Sequence, residues 1–384
     1  MRVVRWILIA AAALVLLAAL ALVTLTLAVN PDRYRAEIER LVSRDTGRPF
    51  VIEGHLRITW FPWLGVRMGA ARLGAPPGER GPDLIDWRSA RLSVRLLPLL
   101  LHRRLVIGPI RLNGAVIHLW REPDGRGNWQ DLLAHASAGS SALPVVGGLT
   151  LTDGALYFQT RGKPLSLTRW RLRISAWEPG EPLTVGTRFV LRTAPLPPAG
   201  VPVALHVRGV RLQLTPLRVS VPAASVRIAD ATIQGAATMR RAQGGLRGAG
   251  HVALAVPSVR GLLGLLGIRM RLPRNPTALE TLALSGRFHL KDGAVAVHPF
   301  SGRLDATTLS GWVDRSGGPQ PRWTFALAAD RIDLDRYLPP TRKRSRPFAL
   351  PVQALRALHA RGTLTIARAT LKGTVMQDVR LQVR

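Results

Sequence analysis

Long stretches of this chain change sides at every second residue, and that period admits few folds. In "ARLSVRLLP", Leu92, Val94 and Leu96 fall on one side of an extended strand, and Arg91, Ser93 and Arg95 on the other. "TRWRLRISAW" sets Trp170, Leu172 and Ile174 against Arg169, Arg171 and Arg173, and "RWTFALA" groups Trp323, Phe325 and Leu327. A period of two marks strands whose sheet is apolar on one face and wet on the other. Asn113-Gly114, Asp124-Gly125, Asp153-Gly154 and Asp292-Gly293 punctuate these runs, and such pairs accept the positive φ angles of tight hairpins. Near Arg208-Gly209 the apolar positions move from odd (Val203, Leu205, Val207) to even (Val210, Leu212, Leu214), as at a β-bulge.

Four segments share the order strand, small break, strand: "LTLTDGALYF", "VRIADATIQG", "FHLKDGAVAV" and "LTIARATLKG". Their spacing is irregular, which excludes a fixed-period solenoid and suggests one long antiparallel sheet grown by hairpins. Residues 134–148, 194–200 and 339–347 read as loops, and 351–362 as a brief helix ended by Gly362. The chain stops in "DVRLQVR", in mid-strand, so the expectation is the front part of a longer protein. Hydrophobic residues make up 47% but aromatics only 5%, so any core is mainly aliphatic.

The first residues bear on the compartment. Arg2 and Arg5 precede an uncharged, mostly apolar run from Trp6 to Val29. That run exceeds the roughly 20 residues needed to span a bilayer, and the about 7–15 of a cleaved signal peptide's core. The expectation is a cytoplasmic tail at 1–5, a transmembrane signal anchor at 6–29, a juxtamembrane helix at 30–47 and a β region at 48–384 beyond the membrane. Asn30 would cap the helix, Pro31 suits its first position, and Gly47 and Pro49 end it. Tyr34, Ile38, Leu41 and Val42 would share one of its faces.

The chain has 54 basic and 23 acidic residues, a formal charge of +31. Such a surplus either attracts an anionic partner or decorates the wet faces of strands. The arginines run along the whole chain, not in one stripe, and no nucleic-acid-binding pattern occurs. Nucleic acid is therefore not expected as a partner. Without cysteine there is no disulfide, thiol nucleophile or Cys-based zinc site. The nine histidines lack the His-Glu-x-x-His spacing of a helical metal site. His289 and His298 flank the Asp292-Gly293 turn, but ordinary strand residues are the simpler reading. No Gly-x-Ser-x-Gly elbow occurs, and "GGLRGAG" fits neither phosphate-binding fingerprint. Asp333 and Asp335 would share a strand face; beside Arg331 and Arg336 they read as a salt-bridged, solvated edge. No enzyme, metal or cofactor is expected.

"REPDGRGNWQDLL" (121–133) places three acids around a turn in a chain poor in acids. Asp124-Gly125 reads as the turn, and Asn128-Trp129 as the start of packing that closes a first β unit. Glu122 and Asp131 read as solvated flanks balanced by nearby arginines, and Trp129 brings a large area to bury.

Taken together, these pieces resemble the AsmA family of bacterial envelope proteins. The resemblance rests on the N-terminal apolar run, Gly47-Arg48, Pro62-Trp63-Leu64-Gly65, Leu97-Pro98-Leu99-Leu100, and Asp124-Gly125 followed by Asn128-Trp129. It resumes in "LTLTDGALYF", "IDLDRYLPP" and "LRALHARGTLTIARATLKG". It implies a mainly β fold: one N-terminal transmembrane helix, then an elongated, twisted antiparallel β-sheet forming an apolar groove, with a few short helices. It also implies a single-pass protein of the bacterial inner membrane, its bulk in the periplasm, moving phospholipid towards the outer membrane. Membrane phospholipids, the inner membrane and outer-membrane assembly components are the implied partners. The residue pattern supplies a physical reason. A one-sided apolar sheet must bury its face, and two short helices cannot cover it. Acyl chains along Leu92, Val94, Leu96, Trp170, Leu172, Ile174, Trp323 and Phe325 could. The alternative is an anchored scaffold that influences outer-membrane protein assembly, its sheet closed on an ordinary core.

Overall fold

The computed structural model describes residues 31–59, 64–78, 81–94, 106–121, 125–132, 146–160, 164–178, 180–214, 216–242, 245–268, 273, 275–318, 321–338 and 360–383. The protein is mainly β and divides into two compact units, Met1–Glu178 and Pro179–Arg384. Among the described residues no helix is long and apolar enough to cross a membrane. The expected anchor, Trp6–Val29, lies outside them, as do Leu96, Glu122, Asp124 and residues 339–359.

In the first unit a turn of 3-10 helix (Pro31–Tyr34) leads into α1 (Arg35–Thr46), which Gly47 stops in the left-handed conformation at φ 67°. Ile38 and Val42 pack on the core formed by Phe50, Ile52, Leu56, Ala71, Leu73 and Leu84. Tyr34 and Leu41, expected on the same face, are exposed. The stripe that meets the sheet is centred further round the helix, where Glu39 Oε1 accepts from Ile52 N and Ser43 Oγ from Phe50 N. Tyr34 and Leu41 fall on its outer margin.

Ten short to medium strands follow: β1 (Phe50–Ile52), β2 (Leu56–Thr59), β3 (Leu64–Met68), β4 (Ala71–Leu73), β5 (Ile85–Trp87), β6 (Ser89–Val94), β7 (Ile110–Asn113), β8 (Val116–Trp120), β9 (Leu149–Gln159) and β10 (Leu165–Ile174). They form two antiparallel ladders, β2–β3–β6–β7 and β1–β4–β5–β8. Both ladders end on β9, which runs parallel to β7 along Leu149–Thr152 and to β8 along Ala155–Gln159. β10 then pairs antiparallel with β9. Asp153-Gly154 is therefore not a hairpin. It lies inside β9 where one ladder hands over to the other, and Asp153 takes a positive φ of 54° there. The dipeptide's tolerance of that conformation serves a fork in the sheet instead of a reversal of the chain.

The second unit has eleven strands: β11 (Leu183–Thr193), β12 (Val201–Leu214), β13 (Leu217–Ile228), β14 (Ala231–Ala242), β15 (Gly245–Val256), β16 (Leu282–Lys291), β17 (Ala294–Leu304), β18 (Thr307–Arg315), β19 (Trp323–Asp333), β20 (Ala360–Leu371) and β21 (Thr374–Val383). Each pairs with the next in chain order. All pairs are antiparallel except β19–β20, which is parallel. Two short helices interrupt the series, α2 (Val259–Leu265) and α3 (Leu334–Tyr337). The register shift expected near Gly209 is present between β11 and β12, with Gly209 at φ 68°. The turn at Asp292-Gly293 links β16 to β17 as expected. Three expectations give way. Ala360, Arg361 and Gly362 open β20 rather than close a helix, and "LTIARATLKG" runs through β20 into its terminal turn instead of forming a hairpin. Asp333 ends β19 and Asp335 lies in α3, so the two do not share a strand face.

Candidate functional site

The register of the second unit sorts its side chains into two faces. Residues opposite one another on paired strands point the same way, so the apolar face can be followed strand by strand. One rung runs Thr187, Leu205, Val226, Ile233, Leu254, Leu284, Gly302, Leu309, Ala329, Ile366 and Val379. The next, two residues along the strands, runs Val185, Val207, Ala224, Gly235, Val252, Gly286, Phe300, Gly311, Leu327, Leu364 and Leu381. Neither rung contains a charged residue.

Bulky rings on this face sit across from glycines. Phe288 faces Gly250, Phe300 faces both Gly286 and Gly311, and Phe325 faces Gly362. A Cβ at Gly250 would lie 2.8 Å from the Phe288 ring, and one at Gly362 would lie 2.7 Å from that of Phe325. The rings occupy the room that the missing side chains leave, so the face stays smooth despite its aromatics.

Cover is uneven. At one end of the strands Val201, Ala231, Val256, Ala329, Ile366 and Ala369 are buried, close to the segments that carry α2 and α3. Further along, Val252 keeps 37% of its surface exposed and Leu246, near the other end, 46%. The apolar face is thus closed at one end and accessible in its middle and at the other.

The closed end is stitched by scarce acids. The Asp305 carboxylate accepts from the backbone N–H groups of Leu279, Glu280 and Thr281 and from the Tyr337 hydroxyl at 2.9 Å. Burial alone would raise the Asp305 pKa, but these hydrogen bonds outweigh it and hold the carboxyl below its ordinary value. Burial, joined by the Asp305 charge, pushes the Tyr337 hydroxyl up to about 12. Asp333 caps α3, and Asp335 accepts from the backbone of Lys372 and Gly373. Neither matches the ion-paired strand edge expected of this segment, because backbone N–H groups compete for these carboxylates.

Of the groove positions named from the sequence, all but Leu96 fall within the described residues. Ala90, Leu112, Leu151 and Leu172 form one rung of the first unit, and Ile110, Leu149 and Ile174 another. Leu92 and Val94 alternate with Ala90 and so share its face, and Leu92 is 45% exposed. Trp170 lies opposite Gly154 on the same strand face as Leu172. Trp323 and Phe325 lie on the apolar face of the second unit, opposite Arg315 and Val313. The pattern of single strands missed the residues that dominate this second face, Val252, Leu254, Leu284 and Phe300. They belong to segments rich in Ala, Gly and Ser, where alternation is weak and only the register reveals a common side.

The histidines that flank the Asp292-Gly293 turn do not meet. His289 lies opposite Ala296, while His298 stacks on Trp312 and hydrogen-bonds Asp314. Among the described residues no group of three or more His, Cys, Asp or Glu is placed to hold a metal ion.

The segment around Asn128-Trp129 has a structural job. Asn128 is buried, accepts from Trp120 N and donates to His118 O. Trp129 tilts against Phe158 with ring centroids 5.8 Å apart. Asp131, expected as a solvated flank, instead binds Arg48, whose side chain has no exposed surface. Arg48 Nη2 donates to Asp131 Oδ1 at 2.6 Å and to Asn128 O at 2.5 Å, and its Nε to Asp131 Oδ2. Burial acts to raise the Asp131 pKa, but the Arg48 hydrogen bond and charge hold it below its ordinary value.

Several shallow hollows open on the opposite, arginine-bearing faces. One of about 660 Å³ lies between Arg227 and Arg303, one of about 600 Å³ among Arg218, Arg240, Arg247 and Lys291, and one of about 420 Å³ among Arg67, Arg91 and Arg111 in the first unit.

These features define a class: a mainly β protein whose paired strands present an aliphatic face that is only partly covered. Residues 1–174 match the model of the AsmA family. The chain is 33% identical over 95 residues to the protein AsmA of Escherichia coli (strain K12), a stretch that covers 25% of this chain and 15% of that one. This chain thus matches only a small part of that relative's length. No solved structure matches it.

Proposed function

We propose that this is a non-enzymatic lipid-handling protein, anchored in the bacterial inner membrane by residues 6–29, with its β region in the periplasm. It contributes to phospholipid transport to the outer membrane. The observation that carries this reading is the accessible apolar face of the second unit, eleven strands wide and uncharged along its central rungs. An acyl chain laid on it is worth about 0.8 kcal/mol for each methylene removed from water. The match of residues 1–174 to the AsmA family supports the location.

The test is site-specific photo-crosslinking of the full-length protein in intact cell envelopes. A photoreactive residue at Val252, Leu284 or Phe325 should give lipid adducts. One at Ser310, on the wet face of β18, should not. Equal labelling of both faces, or none on the apolar one, would overturn the reading and favour the anchored scaffold.

A further inference from the structure

The wet face of the second unit carries a feature that acyl binding does not use. Arg218 lies directly opposite Arg240, Arg240 opposite Arg247, and Arg247 opposite Lys291. Four cations thus stand in one rung across β13, β14, β15 and β16, over a width of about 14 Å. Like charges set directly opposite destabilise a sheet, so four in succession need a counter-charge from somewhere.

The protein does not supply it. Among the described residues none of the four side chains makes an ion pair or a hydrogen bond within the chain, and Arg247 Nε is buried without a partner. From Val201 to Lys291 the acidic residues are Asp230 and Glu280, and both lie beyond the far ends of these strands. The next acid in the sequence is Asp292, in the turn after Lys291, and its carboxylate lies beside Gly245. The rung also lines a concavity. All four cations, with Thr238 and His289, border the hollow of about 600 Å³.

We infer that this rung is a binding site for a phosphate-bearing ligand with more than one anionic group. Several guanidinium forks over a short span suit phosphoryl oxygens, which accept paired N–H donors. A single small anion would leave two or three of the cations uncompensated, whereas a chain of phosphates or a cluster of headgroups spans the rung. The proposal is independent of what lies on the apolar face.

The same chemistry comes from a free polyphosphate or from phospholipid headgroups, and the experiment separates them. Full-length protein in uncharged detergent micelles is titrated calorimetrically with inorganic tripolyphosphate, and in parallel with micelles doped with phosphatidic acid. The variant is Arg240→Gln/Arg247→Gln. The charge-matched control is Arg188→Gln/Arg361→Gln, which removes two exposed arginines elsewhere on the same unit. The rung variant should bind at least about tenfold more weakly than the parent, a loss of about 1.4 kcal/mol, while the control matches the parent. Binding of tripolyphosphate alone identifies a free-anion site, and binding of the doped micelles identifies a headgroup site. Equal weakening in variant and control would mean that net charge alone attracts the anion and would overturn the site. So would an absence of binding in both arms. A second readout guards against misfolding. In ligand-free buffer the rung variant should unfold at the same or a higher temperature than the parent, since it loses repulsion; a marked drop would make the rung structural and sink the proposal.

Discussion

Arg48 and Asp131 show how one residue pair can be read wrongly from a single chain yet be indispensable in the fold. They are 83 positions apart, so no local pattern links them. Arg48 is enclosed, whereas Asp131 keeps 42% of its side chain exposed. Removing one partner of a buried pair costs about 3–5 kcal/mol, because the other charge is stranded. Asp131→Ala should therefore destabilise the first unit by about 3 kcal/mol, near the low end because water still reaches that side. Arg48→Met/Asp131→Ala should lose less than the two single changes summed. Urea unfolding of the full-length protein, followed by tryptophan fluorescence, measures the cycle, and additive losses would show that the pair is uncoupled. The Asp305–Tyr337 contact gives a pH signature at the same scale. The folded-state pKa of Tyr337 lies above its ordinary 10.0, at about 12, so the folded form holds the phenol proton more tightly. The stabilisation is complete below pH 10 and is lost as pH rises from 10 to about 12. Asp305 works in the opposite sense, its contribution being present above its ordinary 3.8 and lost as pH falls through its lowered folded value. Tyr337→Phe should abolish the alkaline loss in thermal melts while keeping most of the acid one.

At the scale of the element, alternation located the strands well and the turns unevenly. Leu172 and Ile174 stand out because large apolar residues alternate with arginines, and Trp323 and Phe325 because large rings alternate with small or polar residues. β14, β15 and β16 are dilute in both, and their place in the apolar face depends on pairing that sequence does not print. Dipeptides with a taste for positive φ mark where the backbone needs it, but not why. Asp292-Gly293 reverses the chain, whereas Asp153-Gly154 forks a sheet. The glycines opposite rings follow the same logic of pairing. At Gly250 a Cβ would lie 2.1 Å from the carbonyl oxygen of Ala236, so the backbone itself blocks a side chain. Gly250→Leu should destabilise the second unit by about 2 kcal/mol, within the range for overpacking. Gly264→Leu, where nothing lies within 4 Å of the added Cβ, should change stability by less than about 0.5 kcal/mol. Equal effects at the two positions would mean that β14 and β15 are not held in this register.

For the molecule as a whole, the question is whether the apolar face is a core or a surface for a ligand, and the two make opposite demands on substitution. In a sealed core every position resists a charge, because an unpaired carboxylate away from water is strongly disfavoured. On an accessible face only the covered positions do. Ile366 is 6% exposed and Val252 37% on neighbouring rungs of the same face. Ile366→Asp should therefore cost more than about 4 kcal/mol, an exceptional loss tied to burying an unpaired charge. Val252→Asp should cost about 1 kcal/mol or less, since the carboxylate can stay hydrated. Val252→Asp should nevertheless abolish lipid capture at Leu284, which lies diagonally across from it on the adjacent strand β16, because a hydrated charge in the middle of the face breaks a continuous path for acyl chains. The measurement pairs thermal unfolding of the full-length variants with crosslinking at Leu284. Two unfolded variants would define a closed core and exclude lipid from this face. A folded Val252→Asp that still captures lipid would place the acyl path elsewhere. A folded Val252→Asp that captures none separates the role of the face in binding from its role in stability, which a closed sandwich would not allow.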